Sequence, residues 1–369
     1  MRDSASSGFS ADLKVCQNLL RNGSRTFFAA SFLLPKRIRD PATALYAFCR
    51  LADDAIDLGD GNGLSDLTRR LDLAYAGTPI DIAADRAFAA TVARHSIPIE
   101  IPQALLEGFA WDAEGRQYED LADVQAYAAR VAGTVGAMMA LLMNRRSPGD
   151  LARAADLGIA MQFTNIARDV GEDARNGRLY LPRQWLRDAG LEPDAWLAAP
   201  AFSPQLASVI ERLLLAADQL YKRAGAGIAR LPVDCRPGIY AARYLYDGIG
   251  HELARRGLDS VSQRAVVPAW RKAQLLTRAI AGTPVRRTTA SASCLPEAAF
   301  LVNAGGSRAG MPDRPPIEGR DPPWWDVYGK ALVLLEILER LEHRENAARA
   351  ERIRAQQSRV AHFSADASA

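Results

Sequence analysis

Gln162 to Pro182 reads QFTNIARDVGEDARNGRLYLP. Asn165, Asp169 and Asp173 recur every four residues, and Gln162 stands three before Asn165. On a helix this spacing stacks all four side chains on one face. A second stretch, CRLADDAIDLGD from Cys49 to Asp60, repeats the device: Asp53 and Asp57 are four apart, with Asp54 beside them. Two helices that project carboxylates at this spacing can face one another across a cavity. They would gather divalent cations there and, through them, hold an anion that neither helix could hold alone. Mg²⁺ is commonly bound in this way, by one or two carboxylates, waters and substrate phosphates.

Taken singly, an i,i+4 carboxylate pair is usually no more than a solvated helix face. The neighbours shift the balance. Tyr46, Arg50, Asp53 and Asp57 fall on one stripe of an otherwise apolar helix. That stripe is too polar for ordinary core and too regular for a random surface. The second stretch carries the amides of Gln162 and Asn165 before its carboxylates, then Arg168, Arg178 and Tyr180. Metal-binding carboxylates together with arginines form a diphosphate-binding kit, because Arg adds planar, multidentate donors.

The rest of the chain reads as a container. Its 369 residues are 49% hydrophobic, ample for a large core. With 46 basic and 43 acidic residues and a net charge of +3, it does not read as a nucleic-acid binder. Four scattered cysteines without a CxxC pair and four dispersed histidines argue against a disulfide framework and a zinc site, and for a reducing cytosol. The polar start MRDSASSGFS lacks the apolar core of a signal peptide. The longest strongly apolar stretch, between Arg130 and Arg145, is too short to span a bilayer. A soluble cytoplasmic protein is expected, with peripheral contact on the inner face of the membrane left open.

Residues 1–11 read as a loose leader and 12–20 as the first helix. SRTFFAASFLLP follows, with Phe27, Ser31 and Leu34 on one face; core packing is the default reading of such aromatics. Pro41 suits the first turn of a helix running to about Leu58. Further helices are expected at about 64–76, 88–95, 102–111, 124–144, 151–174, 203–229, 237–256 and 268–281. Within 124–144, VAGTVGAMM puts Gly133 and Gly136 in a small-residue stripe, suited to close helix packing and to a smooth wall beside a long apolar ligand. No segment shows the period-two alternation of a strand, so the body is all-α. The expected organisation is a catalytic domain over 1–285, a Gly/Pro-rich linker over 286–323 in which EAAFLV has helical character, an amphipathic helix over 324–345 and a charged tail over 346–369.

No GxxxxGK[ST] loop and no GxGxxG after a strand are present, so a P-loop nucleotide triphosphatase and a Rossmann nicotinamide site are disfavoured. An apolar helical bundle that holds a diphosphate suits the ionisation of an allylic prenyl diphosphate. The leaving group is neutralised as its charge develops, the cavity keeps water from the carbocation, and aromatic faces such as Phe27 or Tyr46 can stabilise it.

At this point the motifs become recognisable. From about Ser24 to Arg278 the sequence resembles the phytoene synthase and squalene synthase family, the head-to-head prenyl transferases. SRTFFAASFLLP resembles the family's opening motif, YAFCRLADDAID its first aspartate-rich motif and NIARDVGEDARNGRLYLP its second. VAGTVGAMM resembles the central glycine motif, and YLYDGIGHELARRGLDSVSQRAVVP the end of the catalytic domain. DAEGRQY at 112–118 resembles the phytoene branch, although Trp111 departs from the methionine common there.

The resemblance implies a single large helical bundle of the isoprenoid synthase type with a central apolar cavity. It implies condensation of two geranylgeranyl diphosphates to phytoene through prephytoene diphosphate, in carotenoid biosynthesis, with two or three Mg²⁺ or Mn²⁺ ions and no nicotinamide. By the same resemblance Asp53, Asp57, Asn165, Asp169 and Asp173 would be metal ligands. Arg50, Arg168, Arg178 and Arg264 would touch diphosphate, Gln162 would assist on the same helix face, and Ser24 would sit beside one phosphate. Tyr46, Tyr127, Tyr180 and Tyr246 would donate to diphosphate or lie near the cation. Two alternatives stay open: a relative using farnesyl diphosphate to give dehydrosqualene, squalene or hydroxysqualene, and an inactive member acting as an assembly factor. The product is an insoluble hydrocarbon, so peripheral membrane contact and transfer to a desaturase are expected partners of the reaction.

Overall fold

The computed structural model describes residues 2–23, 25–57, 63–281 and 293–306, with side chains over 8–23, 27–55, 63–281 and 293–306. Among these, every regular element is helical. The first six helices are α1 (Arg2–Gly23), α2 (Arg25–Ser31), α3 (Lys36–Asp57), α4 (Gly63–Tyr75), α5 (Ala83–His95) and α6 (Glu100–Ala113). Then come α7 (Leu121–Ala128), a π-helical turn (Ala129–Gly133) and α8 (Thr134–Leu142). They are followed by α9 (Pro148–Arg175), α10 (Arg183–Asp188), α11 (Pro193–Ala198), α12 (Pro204–Ile228), α13 (Arg236–Arg255) and α14 (Ala269–Ala281). A 3₁₀ turn (Pro296–Ala298) leads into α15 (Ala299–Gly306).

The molecule is arranged around α9. Ser147 caps its start by accepting the Asp150 backbone N–H at 3.1 Å, and Pro148 occupies the first turn. Its 28 residues rise about 42 Å at 1.5 Å each. At its end, Arg178 N–H donates to the Asp173 carbonyl at 2.9 Å and Gly177 N–H to Ala174 at 3.0 Å, with Gly177 at φ +74°. This is a Schellman closure, and it turns Arg178 back beside the last acidic residue of the helix. One side of α9 is buried through Ile159, Phe163, Ile166, Ala167 and Val170 against α8, α12 and α13.

The small-residue stripe packs helices closely and also lines a cavity. A Cβ on Gly136 would lie 2.2 Å from the Ala154 carbonyl oxygen, and one on Gly158 would lie 2.2 Å from that of Ala132. The backbones of α8, the π-helical turn and α9 therefore touch, while Val131, Ala132, Val135 and Gly136 line a cavity.

Several boundaries differ from expectation. Residues 2–11 are helical rather than a leader: Leu13 and Cys16 are buried against α3 and α5, Phe9 packs on the same cluster, and Asp12 binds Arg86. Pro41 lies inside α3 instead of in its first turn, because Lys36–Asp40 already wind. Buried Ile38 and the Arg37–Asp234 ion pair, with Nη2 to Oδ1 at 2.9 Å, hold that added turn. The helix expected over 124–144 is broken by the π-helical turn. Its Arg130 lies over the rings of Trp111 and Phe300 and pairs with Glu107 at 2.9 Å. Helices α10 and α11 were not expected; at six residues each they are shorter than the periodicity that reveals a helix. In 286–323 the described residues 293–306 pack on the bundle, with Leu301 fully buried and α15 lying on α9. The segments expected at 324–345 and 346–369 lie outside the described residues.

Candidate active site

Helices α2, α3, α8, α9, α12 and α13 and the π-helical turn surround a cavity of about 280 Å³. Its wall is apolar through Leu34, Leu45, Val135, Met139, Leu157 and Met161. Along α9 it is lined from Asp150 to Asn165, a rise of about 22 Å at 1.5 Å per residue. Phe27, Tyr46, Gln162, Asn165 and Tyr246 all line it, so five residues singled out by sequence meet on one surface. Phe27, Ser31 and Leu34 share this wall, and Phe27 stacks on Tyr46 with centroids 5.7 Å apart.

The charged groups continue the same two helices past Tyr46 and Asn165. One turn beyond Tyr46, Arg50 reaches Asp53 at 3.4 Å and Asp54 at 2.6 Å. Burial pushes the Tyr46 phenol up to about 12, with Arg50 opposing and Tyr246 and Asp53 adding to the rise. One turn beyond Asn165, Asp169 is held by two guanidiniums. Arg168 Nε donates at 2.8 Å, and Arg264 donates at 2.7 and 3.2 Å. Arg168 stands within electrostatic reach of Tyr246, so α9 and α13 meet there. The side chain of Asp57 and the whole of Ser24 lie outside the described residues.

Arg264 reaches Asp169 because of Gly171. The Gly171 N–H donates to the Ser260 carbonyl at 3.1 Å, and a Cβ there would fall 2.5 Å from Val261 Cα. The glycine lets the 257–268 loop lie directly on α9, and Arg175 fastens it by donating to Val261 O at 3.2 Å.

Tyr127 and Tyr180 form a separate group. Their rings stack with centroids 5.1 Å apart, flanked by Tyr118. Both hydroxyls donate to Asp112, Tyr127 to Oδ2 at 2.8 Å and Tyr180 to Oδ1 at 2.7 Å. Each phenol has a single proton, and in this arrangement both hydroxyls lie against Asp112. Asp112 was quoted in the sequence only as the head of DAEGRQY; its two phenol partners lie 15 and 68 residues away, and no local pattern announces them. Arg178 lies in the field of Tyr118, Tyr180 and Asp173, which ties this group to the end of α9.

The oxygen donors of α9 fit a divalent cation. Asn165 Oδ1 is buried without a hydrogen-bond partner. Asp173 is pushed up to about 7, first by burial and then by Asp169, Glu172 and Asp112, with Arg178 opposing. Burial and the neighbouring carboxylates outweigh Arg178 there. Among the described residues no three acidic, histidine or cysteine side chains converge as a ready-made metal cage. Asp169 and Asp53 are instead paired to arginines.

A helical bundle whose apolar cavity is lined by the amides of Gln162 and Asn165, with carboxylates and arginines a turn further along α3 and α9, defines a class: helical containers for an apolar chain, with charged groups on the helices that line them. Comparison with known proteins narrows the class. Residues 20–271 match the squalene/phytoene synthase family. The chain is 47% identical to a phytoene synthase of Cereibacter sphaeroides, over 93% of this chain and 97% of that one. It is 51% identical to a phytoene synthase of Rhodobacter capsulatus, over 82% and 93%. The crystal structure of a dehydrosqualene synthase in complex with ligand superposes with a TM-score of 0.68 at 30% identity, covering 74% of this chain and 96% of that one. The chain belongs to the squalene/phytoene synthase family.

Proposed function

We propose that this protein is a phytoene synthase, joining two geranylgeranyl diphosphates head to head and releasing two diphosphates. The observation that carries the reading is the pairing of acid-bearing α3 and α9 along one long apolar cavity, in a chain whose relatives at 47–51% identity are phytoene synthases. In the reaction the carbon–oxygen bond of the first substrate breaks, and its allylic cation attacks the double bond of the second. Proton loss closes the cyclopropane of prephytoene diphosphate. A second ionisation, rearrangement and deprotonation give phytoene without a reductant.

Asp53, Asp57, Asn165, Asp169 and Asp173 would hold Mg²⁺ or Mn²⁺. When bound, the cations neutralise diphosphate oxygens and stabilise the leaving group. Arg50, Arg168, Arg178 and Arg264 donate to the diphosphates, exchanging carboxylate partners for phosphate oxygens. Gln162 orients Asn165, whose amide lies 3.5 Å away. The aliphatic wall holds both prenyl chains and excludes water. Phe27, Tyr46 and Tyr246 present aromatic faces to the cation.

A second reading, use of farnesyl diphosphate, is favoured by the likeness to the dehydrosqualene synthase structure. Release of an insoluble product fits peripheral membrane contact and transfer to a desaturase. Among the described residues no helix is long and apolar enough to cross a membrane. The deciding experiment supplies geranylgeranyl and farnesyl diphosphates separately, with Mg²⁺ and no nicotinamide, and identifies the hydrocarbon. Phytoene from the first, lost in chelator and restored by Mg²⁺ or Mn²⁺, is expected. Turnover in excess chelator, or hydrocarbon only from farnesyl diphosphate, overturns the proposal.

A further inference from the structure

DAEGRQY is more than a connection between α6 and α7. Asp112 lies in the last turn of α6, and its direction is fixed from both sides. The preceding Trp111 is buried between two guanidiniums, Arg116 at 3.6 Å and Arg130 at 4.2 Å from the ring centroid. The following turn is closed by Arg116 N–H on the Trp111 carbonyl at 3.0 Å, with Gly115 at φ +65°. A carboxylate so held accepts one phenol on each oxygen, Tyr127 from α7 and Tyr180 from the segment after α9. Such charge-assisted bonds are among the stronger and more directional that side chains make. The two hydroxyls also lie within hydrogen-bond reach of one another. The group is graded in exposure: Tyr127 is buried, whereas Asp112 and Tyr180 are half-buried, and Asp112 lies in the field of Asp173.

We propose that Asp112 is a positioning residue for the reaction, holding Tyr127 and Tyr180 as a fixed pair beside the end of α9 with both hydroxyl protons turned onto its own carboxylate. The inference rests on the proposed phytoene synthase activity and deepens it. With their protons committed, the phenols offer lone pairs and ring faces, which attract a cation. They do not offer a donor that would compete for a departing diphosphate or deliver a proton to an intermediate. Asp112 acts through the tyrosines and touches no substrate in this scheme.

The test compares wild type, Asp112→Asn, Asp112→Ala, the Tyr127→Phe/Tyr180→Phe double variant and that double variant combined with Asp112→Asn. Each is assayed on geranylgeranyl diphosphate with Mg²⁺ for kcat, KM, the ratio of hydrocarbon to prenyl alcohol, and melting temperature. Asparagine keeps the size of aspartate but accepts at one atom only, so one phenol must reverse and free its proton. Asp112→Asn is expected to keep its fold and KM while kcat falls roughly 10–100-fold, the range for groups that orient others in a site, and the alcohol share rises. Adding Asp112→Asn to the double variant should cost little more, because the three groups act as one unit. If Asp112→Ala does not fold, the asparagine series still decides. Wild-type kcat and product ratio in Asp112→Asn overturn this inference alone, as does a loss of the same factor with and without the two hydroxyls. Wild-type protein that yields no hydrocarbon overturns the proposed function, and this inference with it.

Discussion

Single side chains in this protein are read through the charges they face. Asp169 binds two arginines at once, and Asp173 four residues on is raised to about 7. One i,i+4 face thus carries a neutralised and an under-neutralised carboxylate. Asp53→Ala and Asp169→Ala are expected to cut product formation on the order of 10²-fold or more, as does loss of one preorganised stabiliser of a developing charge. Helical circular dichroism should persist in both. Near-native turnover in either variant would show that aspartate to be surface decoration. His95, at the end of α5, is perturbed in the other direction. Burial holds its imidazole down to about 4 against an ordinary 6.5, aided by Arg94 and Arg146, and its Nε2 is buried without a partner. Between pH 6.5 and 4 the unfolded chain therefore takes up a proton that the folded chain refuses, so stability falls with acid through that window. His95→Gln should flatten the melting temperature against pH there. An unchanged slope would place the acid sensitivity elsewhere.

Helices were legible in proportion to their length and to the regularity of their apolar face. The long α9, α12 and α13 stand within a few residues of their expected bounds, because caps such as Ser147 and Asn176-Gly177 are written in the local sequence. What was not legible depends on partners distant in the chain. The first turns of α1 are helical through packing on α3 and α5, Pro41 is carried inside α3 by an ion pair to Asp234, and the tyrosine pair is gathered by Asp112. The site divides along the same line. Gln162, Asn165, Arg168 and Asp169 share a face by spacing alone, whereas Arg264 arrives because Gly171 admits a loop. Helix α15 is a further long-range contribution: Leu301 is fully buried and would lie 3.2 Å from a Cβ on Gly133 in the central glycine motif. Leu301→Ala should cost about 2–5 kcal/mol, the range for emptying a packed leucine site, read as a lower denaturant midpoint. An unchanged midpoint would show that α15 is peripheral to the bundle.

At the scale of the whole molecule, six α-helices and the π-helical turn line one cavity, and on the proposed function its length along α9 is expected to set which prenyl chain fits. From Asn165 to Asp150 the lining spans about 22 Å, and Ala154 stands about 16 Å from Asn165, taking 1.5 Å per residue. The ratio is close to that of three isoprene units to four, which is the difference between a farnesyl and a geranylgeranyl chain. Ala154 faces the cavity, and beyond it lie Arg153 and Asp150. Arg153 is 3% exposed and paired with Asp156 at 2.9 Å, so the far end is a fixed polar floor that an overlong chain cannot displace without breaking a buried ion pair. A bulky side chain at 154 would raise that floor by about one unit while leaving Asn165, Asp169 and the arginines untouched. Ala154→Phe is therefore expected to lower kcat/KM for geranylgeranyl diphosphate by at least about tenfold, equivalent to about 1.4 kcal/mol of lost transition-state binding. Farnesyl diphosphate should be used as well as before or better, with a shorter hydrocarbon as product. The comparison is internal, since both substrates meet the same protein, so a general loss of stability would lower both rates together. Equal losses on the two substrates would mean that the cavity's length along α9 does not measure the chain.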